Sequence, residues 1–433
     1  MLILYYFTRG NDILHINLYE MLLCISSAVD LISSELSNHH QQVAYLAYHI
    51  AKKMGLKKNV CRQLVMAGMV HDIGVLTTQE RLLIIEQEPV TINSHAFRSA
   101  KLLEQTPVMS SVVETVRYHH VQWNNGQGQT FLNKNVPLTS HILYMADRVC
   151  AKFDKNKNPI EQVFDVIDAI ANESGSRFMP DAVDALISLK KTEHVWLELL
   201  EDSPLDYINT KEMFDTKLLN IDELLDLTRM VSFIIDFRSH FTATHSAGVA
   251  AVARKLGELC GFSPNECKML LIAGYLHDLG KLSIPNTVLE KPSSLNDQEY
   301  NIIRGHTFHT YRLLKTVNGL ETINQWASFH HEKLNGKGYP FHLSNERIPL
   351  GARIMAVADI FTSLTEDRPY RESLGAEQVA GVLHQMVQNG SICIKVVDTL
   401  VENQNELRTV CFESQQQEAL MYQNFFASDI LTA

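Results

Sequence analysis

Apolar residues in this chain recur every three or four positions rather than every second one. One clear run consists of Leu14, Leu18, Met21, Leu22, Ile25, Val29 and Ile32. Such spacing puts the apolar side chains on one stripe of a helix. Strand-like alternation is rare, and stretches rich in Gly, Pro and Asn at 124–128, 334–340 and 367–370 indicate loops between helices. The pattern predicts an all-α fold.

Histidines and aspartates repeat in the same order in the two halves of the chain. The second half contains, at intervals of 32, 29, 24 and 28 residues, His245, His277-Asp278, His306, His330-His331 and Asp359. The first half contains, at intervals of 32, 24, 24 and 27 residues, His39, His71-Asp72, His95, His119-His120 and Asp147. A matched series of this kind indicates a duplicated domain. We predict copies at 15–180 and 226–415, joined by a helical connector at 181–225.

Composition narrows the class of protein. The 433 residues carry a formal net charge of −11, which argues against binding to polymeric nucleic acid, because that needs a surplus of Lys and Arg. The seven cysteines are scattered and form no CxxC pair, so they predict neither disulfides nor a thiolate zinc site. The sequence contains no apolar run of membrane-spanning length. We therefore expect a cytoplasmic protein without membrane association.

The repeated residue types suit metal binding. Several imidazoles together with a bridging carboxylate can hold two adjacent metal ions, which activate water and neutralise the charge of a phosphodiester. Asp278 lies in the apolar run LLIAGYLHDLGKL, where an unpaired buried carboxylate would be costly without a cation. The second copy offers seven candidate ligands: His245, His277, Asp278, His306, His330, His331 and Asp359. Each histidine taken alone is equally well explained as an ordinary core or surface residue.

Longer motifs in the second copy carry a family resemblance. They are HDLGK at 277–281, KPSSLNDQE at 291–299, HHEKLNGKGYP at 330–340, IPLGARIMAVAD at 348–359 and RPYR at 368–371. Together these motifs are similar to the successive signatures of the HD-GYP family. The resemblance implies two tandem HD-type helical domains, a centre of two or three metals, and hydrolysis of cyclic dinucleotides such as cyclic di-GMP or 3′,3′-cyclic GMP-AMP (3′,3′-cGAMP).

The resemblance also implies roles for individual residues. One metal would be held by His245, His277, Asp278 and Asp359, and the other by Asp278 with His306, His330 and His331.

Asp278 and Lys281 would be catalytic, because Lys281 follows Asp278 by one helical turn and could place its ammonium on a phosphoryl oxygen. Lys281, Arg368, Arg371 and Tyr339 would bind substrate. Each of these roles has an alternative. Lys281 could be a solvated surface lysine, either arginine could form an ordinary surface ion pair, and the turn around Tyr339 could be purely structural.

Several positions depart from the family pattern. Family members with three metals carry a glutamate four residues before the first histidine, where this chain has Phe241. We therefore expect two divalent transition-metal ions, with iron or manganese favoured. Asn335 replaces a usual aspartate and is expected to alter a loop hydrogen bond rather than the metals. The first copy is degenerate: Val75 replaces the lysine, and 126–129 reads GQGQ. Its residue types still permit metal binding, and a regulatory or dimerising role would suit it.

These features predict a phosphodiesterase that opens one bond of a cyclic dinucleotide to give a linear, 5′-phosphorylated product. The tandem arrangement resembles phosphodiesterases acting on 3′,3′-cGAMP, which is the favoured substrate, with cyclic di-GMP as the other candidate. Two alternatives stay open: a catalytically silent cyclic-dinucleotide receptor, and an HD-type nucleotide phosphohydrolase. A homodimer is compatible with the pattern.

Overall fold

Helices make up nearly all regular structure, which confirms the all-α prediction. The structure, a computed structural model, describes residues 14–32, 38–75, 80, 93–209, 213–214, 217–237, 244–291, 293–367 and 372–427. The helices of the first half are α1 (Leu18–Asp30), α2 (His39–Lys53), α3 (Lys58–Val70), α4 (Asn93–Glu104), α5 (Val113–Arg117), α6 (Leu138–Lys152), α7 (Pro159–Ala171), α8 (Pro180–Leu189) and α9 (Glu193–Leu199).

The second half continues in the same style. Its helices are α10 (Ile221–Asp236), α11 (His245–Leu259), α12 (Pro264–Leu276), α13 (Asn286–Leu289), α14 (Asp297–Leu314), α15 (Glu321–Ser328), α16 (Leu350–Thr365), α17 (Ala376–Gln388), α18 (Ile394–Glu402) and α19 (Gln404–Ala427). Short 3₁₀ helices lie at Pro107–Val112, Asn124–Gln129, Pro204–Tyr207, Leu279–Ser283 and Asn345–Arg347. No helix in the described ranges has both the length and the apolar character needed to cross a bilayer.

The described residues also contain four two-residue strands. Strands β2 (Thr130–Phe131) and β3 (Lys134–Asn135) form a small antiparallel pair within the first half. Strand β1 (Ile16–Asn17) pairs antiparallel with β4 (Leu218–Leu219), with Ile16 opposite Leu219. The start of the described chain is therefore tied to the segment that leads into α10.

Local sequence explains where the helices that carry the candidate ligands begin. Helix α12 is capped by Ser263, the residue before it, whose hydroxyl accepts a hydrogen bond from the backbone of Glu266 while the Glu266 carboxylate accepts one from the Ser263 backbone. Asn296 and Glu299 form the same reciprocal arrangement at the start of α14. Both helices thus have defined starting points, and α12 ends immediately before His277.

The same close helix crossing occurs once in each half. Helices α2 and α3 pack together at Gly68, where an added Cβ would lie 2.5 Å from the Cα of Ala44. Helices α11 and α12 do so at Gly274, where a Cβ would lie 2.4 Å from the Cα of Ala250. Each glycine precedes the histidine of its His-Asp pair by three residues. Close backbone approach at these glycines therefore sets the position of both His-Asp pairs.

The two halves contact each other directly. Helix α1 packs against α3 and also against α14 and the Leu279–Ser283 turn of the second half. The Glu20 carboxylate accepts hydrogen bonds from the backbone and the side chain of Asn318, at 2.8 and 2.7 Å. Lys101 donates to the Phe425 carbonyl oxygen at 3.3 Å. The division of the chain at residues 180 and 225 stays a prediction.

Replacing Gly274 with alanine should destabilise the protein by about 1–3 kcal/mol, because the new methyl group would overlap the backbone of Ala250. Chemical denaturation of the full chain measures this change in the free energy of unfolding. Gly381 in α17 is the matched control, since it is exposed and a Cβ there meets nothing within 4 Å. Gly381→Ala should leave stability unchanged or raise it by about 0.5–1 kcal/mol. Equal losses in both variants would contradict the close crossing.

Candidate metal centre

The second half brings all seven candidate ligands to one place. They come from the start of α11, the end of α12, the middle of α14, the turn after α15 and the middle of α16, and they are His245, His277, Asp278, His306, His330, His331 and Asp359. Potential ligand atoms lie within 4.8 Å of one another in each of three groups: His245 with His277 and Asp359; His277 with Asp278 and His330; His306 with His330 and His331. The groups overlap, so the seven side chains form one continuous cluster.

Asp278 lies between the two ends of this cluster. Its Oδ2 is 3.1 Å from Nε2 of His277 and 2.5 Å from Nζ of Lys281, and its Oδ1 is 3.3 Å from Nε2 of His306. The side chain is almost fully buried. Burial alone would raise the pKa of Asp278, but His277 and Lys281 hold it well below its usual value. An ionised carboxylate with both oxygens facing different imidazoles is the geometry that a bridging ligand requires.

Three of the imidazoles are oriented by backbone carbonyl groups. His277 donates from Nδ1 to the carbonyl oxygen of Gly274 at 2.7 Å, since a carbonyl can only accept. His306 and His330 donate in the same way to Ile303 and Ala327, at 2.7 and 2.6 Å. Each acceptor lies three residues before its histidine. The Nε2 lone pairs are therefore turned toward the cluster, as metal ligation requires.

His245 is oriented differently, by a carboxylate. It is the first residue of α11, so no earlier turn of that helix can receive its Nδ1 proton. Nδ1 instead lies 3.1 and 3.2 Å from the two oxygens of Glu366, while Nε2 lies 3.2 Å from Asp359. Burial opposes a charged imidazole here, but the carboxylates of Glu366 and Asp359 outweigh it and raise the pKa of His245 to about 10.

The residues present fit a metal pair. Nε2 of His277 and Oδ1 of Asp278 are buried, and within the described ranges they contact only other candidate ligands, at 3.1 and 3.3 Å, without making a hydrogen bond. A buried polar atom without a hydrogen bond is costly, and a cation would satisfy both. Burial lowers the pKa of His306 to about 3 and lowers that of His331. These imidazoles are neutral near pH 7, which is the form that binds metal.

Tyr339 borders the cluster. Its ring centroid lies 5.0 Å from that of His331, and the Arg304 guanidinium lies 4.9 Å from the centroid of the Tyr339 ring. The loop that carries Tyr339 is held by the buried carboxylate of Glu332, which accepts from the backbone of Phe341 at 2.6 Å and of Leu343 at 2.9 Å. Tyr339 thus packs on a candidate ligand and has a basic neighbour.

The positions that depart from the family pattern are only partly described. Asn335 lies in the loop before Tyr339, where its amide donates to the Asn389 carbonyl at 2.9 Å and its Oδ1 accepts from the Lys337 backbone at 3.0 Å. An aspartate could make only the second of these bonds. Phe241, the other departing position, lies outside the described residues, and so do the candidate substrate ligands Arg368 and Arg371.

Sequence reasoning missed Glu366, Glu332 and Arg304. Glu366 follows Asp359 by seven residues, a spacing that indicates no contact with the start of α11. Glu332 follows His331 directly, and only its burial in the structure marks it as different from a surface glutamate. Arg304 precedes His306 by two residues on α14, so helix geometry alone would place it on a different face.

Comparison with known proteins shows a shared family. The family model described as the HD domain matches residues 24–177 and again 229–392, so it finds the domain twice. The 3′3′-cGAMP-specific phosphodiesterase 1 of Vibrio cholerae serotype O1 is 29% identical over 405 residues, covering 90% of this chain and 93% of that protein. The cyclic di-GMP phosphodiesterase response regulator of Xanthomonas campestris pv. campestris is 34% identical over 180 residues, 41% of this chain and 47% of its own length.

A solved structure has the same fold. The crystal structure of a cyclic GMP-AMP specific phosphodiesterase from Vibrio cholerae covers 90% of this chain and 98% of its own with a TM-score of 0.64. Sequence identity to that structure is 20%, so the likeness concerns the fold.

Replacing Glu366 with glutamine should weaken metal binding by the second half about 10- to 100-fold, because the carboxylate that orients His245 is lost. Competition with a chromophoric chelator measures the affinity without any assay of activity. Asp154 provides the control, since it follows Asp147 by seven residues but contacts Asn156 and Lys157 instead. Asp154→Asn should bind metal like the wild type, and a loss equal to that of Glu366→Gln would refute the role of Glu366.

Proposed function

Since this chain belongs to the HD domain family, we propose that its second half is a metal-dependent phosphodiesterase that hydrolyses a cyclic dinucleotide. Water adds across one P–O3′ bond of the substrate. Its oxygen joins phosphorus and a proton ends on the 3′-oxygen, so the product is a linear dinucleotide with a 5′-phosphate. The cluster around Asp278 is the proposed site of this reaction.

The proposed ligands fall into two sets that share Asp278. His245, His277, Asp278 and Asp359 would hold one metal, and His306, His330 and His331 would join Asp278 on the other. Two divalent transition metals bound there would activate water and neutralise the charge of the phosphoryl oxygens. A set of imidazoles and carboxylates accepts several first-row metals, and we favour iron or manganese.

The position of Lys281 next to Asp278 is the observation that best supports the proposal. Its ammonium lies 2.5 Å from Oδ2 of Asp278, the carboxylate at the centre of the cluster. About a quarter of its side chain is exposed, so it faces both the cluster and the solvent. From there it can donate to a non-bridging oxygen of the scissile phosphate as negative charge develops. Val75, buried at the equivalent position of the first half, cannot do this.

Other groups are proposed to hold the rest of the substrate. Tyr339 presents an aromatic ring beside His331, on which a base or ribose can pack. Arg304 brings a guanidinium against the same ring. Arg368 and Arg371 are further candidates for the second phosphate because their planar donor groups bind phosphate in a bidentate way. A ligand with two phosphates would use more than one of these cations.

We favour 3′,3′-cGAMP over cyclic di-GMP as substrate. The relative named for 3′3′-cGAMP matches nearly the whole of both chains, and so the match spans both halves of this chain. The relative named for cyclic di-GMP matches only 41% of this chain. A homodimer, a cytoplasmic location and the absence of polymeric nucleic acid as a partner stay predictions from the sequence.

Replacing Lys281 with alanine should lower turnover of the cyclic dinucleotide about 100- to 1000-fold while leaving metal content unchanged, because the lost group acts on the developing charge of the substrate. Turnover is followed by chromatography and metal content by mass spectrometry. Lys268 is the matched control, since it also pairs with an aspartate at 2.5 Å, namely Asp222, on the surface. Lys268→Ala should keep full activity. Unchanged turnover in Lys281→Ala would argue against the proposed role.

The substrate itself can be tested with the wild-type chain. Metal-loaded protein is incubated separately with 3′,3′-cGAMP and with cyclic di-GMP, and products are separated by chromatography. We expect a linear, 5′-phosphorylated dinucleotide from both, formed faster from 3′,3′-cGAMP. Tight binding without any product from either nucleotide would favour a receptor and contradict the enzyme.

A further inference from the structure

The first half contains a second cluster of buried imidazoles and carboxylates that the proposed reaction does not use. One group consists of Asp72, His95, His119 and His120, and another of His39, His71 and Asp147. Within each group the potential ligand atoms lie within 4.8 Å of one another, and all seven side chains are buried. The burial excludes an explanation as solvated surface histidines.

Asp72 connects the two groups as Asp278 does in the second half. Its Oδ2 is 3.5 Å from Nε2 of His71, and its Oδ1 is 3.3 Å from Nε2 of His95 and 3.5 Å from Nε2 of His119. On the far side, His39 lies 3.0 Å and His71 lies 3.8 Å from Oδ1 of Asp147. One carboxylate therefore faces both groups, and a second closes one end.

The inward-facing atoms lack other partners. Nε2 of His71, Nε2 of His119 and Oδ1 of Asp72 are buried and make no hydrogen bond in the part of the chain that the structure describes. The opposite nitrogens are committed, because Nδ1 of His71 donates to the Gly68 carbonyl at 2.8 Å and Nδ1 of His119 donates to the Val116 carbonyl at 2.6 Å. Buried atoms of this kind, whose neighbours are other potential metal ligands, are explained by a cation.

This cluster differs in its chemistry from the one in the second half at two positions. Arg148 donates to Oδ2 of Asp147 from Nε and a terminal nitrogen, at 3.0 and 2.7 Å, whereas Ile360 follows Asp359 at the same point. Val75 stands where the second half has Lys281. The guanidinium binds Oδ2 of the Asp147 carboxylate, and the apolar side chain of Val75 cannot supply the ammonium that Lys281 provides. The first half therefore retains the candidate metal ligands but lacks the lysine that would contact a scissile phosphate.

We propose that the first half holds its own transition-metal centre, bridged by Asp72, and that this centre does not cleave phosphodiesters. His95, His119 and His120 bind one ion with Asp72, and His39, His71 and Asp147 bind the other. Neutral imidazoles with carboxylates suit divalent first-row metals rather than calcium or magnesium. The centre links α2, α3, α4 and α6 around one buried point, so it stabilises the first half.

Cobalt counting on the full-length chain tests this proposal. The protein is stripped with a chelator, reloaded with Co²⁺, passed through a desalting column and analysed for bound cobalt. With two centres of two metals, the wild type should hold about four ions per chain. In His277→Gln/His330→Gln, which removes one proposed ligand of each metal in the second half, about half of this cobalt should stay. A variant that keeps its helical circular dichroism but retains no cobalt would overturn the proposal.

The reciprocal variant separates this centre from catalysis. His71→Gln/His119→Gln, which removes one proposed ligand of each metal in the first half, should lose about half of the cobalt and keep hydrolysis of the cyclic dinucleotide. His141→Gln is the control, since His141 is a buried histidine of the same half outside both groups. It should keep all of the cobalt. If His71→Gln/His119→Gln holds as much cobalt as the wild type, the first half binds none and the proposal fails.

Failure of the proposed function would be visible separately. A wild-type chain with about four cobalt ions and no hydrolysis would refute the phosphodiesterase while supporting the second centre. If a variant loses its helical circular dichroism, the wild-type count decides, since about two ions would leave no metal for the first half.

Discussion

The buried carboxylate of Asp278 is the constraint on which the second half depends. A charge removed from water must be met by partners at short range, and here they come from several helices. The turn that follows Asp278 is fixed to α14 by Thr310, whose hydroxyl accepts from the Gly280 backbone at 2.9 Å and donates to the His277 carbonyl at 3.1 Å. Helices α12 and α14 are thereby held at the distances that the cluster requires, and His245 joins α11 to Asp359 on α16. The contacts that pack these helices together are therefore also the contacts that set the geometry of the site.

The sequence predicted most of this arrangement because order and spacing survive folding. Apolar periodicity was sufficient for the all-α fold, and the repeated His/Asp order identified the seven residues that lie together. It could not identify Glu366, because that contact depends on how the end of α16 meets the start of α11. It also could not reveal that Arg148 occupies the carboxylate of Asp147, since an arginine beside an aspartate in sequence need not touch it.

The two halves show how one scaffold tolerates different pairs at one position. In the first half, His40 on α2 contacts Asp30 on α1 at 2.6 Å. The equivalent pair in the second half is Ser246 and Asp236, where the serine hydroxyl donates at 2.7 Å. Burial raises the pKa of Asp236 to about 7, although Ser246 acts in the opposite direction. In each half an aspartate thus joins one helix to the next, α1 to α2 and α10 to α11. The residue that pairs with the aspartate differs, but the contact between the helices is the same.

The pairing of β1 with β4 has a consequence for synthesis on the ribosome. These strands are about two hundred residues apart, so closing them carries the entropy cost of a long loop. Helix α1 emerges early, yet part of its apolar surface is covered only by α14 and the turn at Leu279–Ser283. The nascent first half must therefore keep that surface exposed until the second half has been translated. Chain termination or a long pause between the halves would leave an aggregation-prone intermediate, although the amino-terminal helices are already complete.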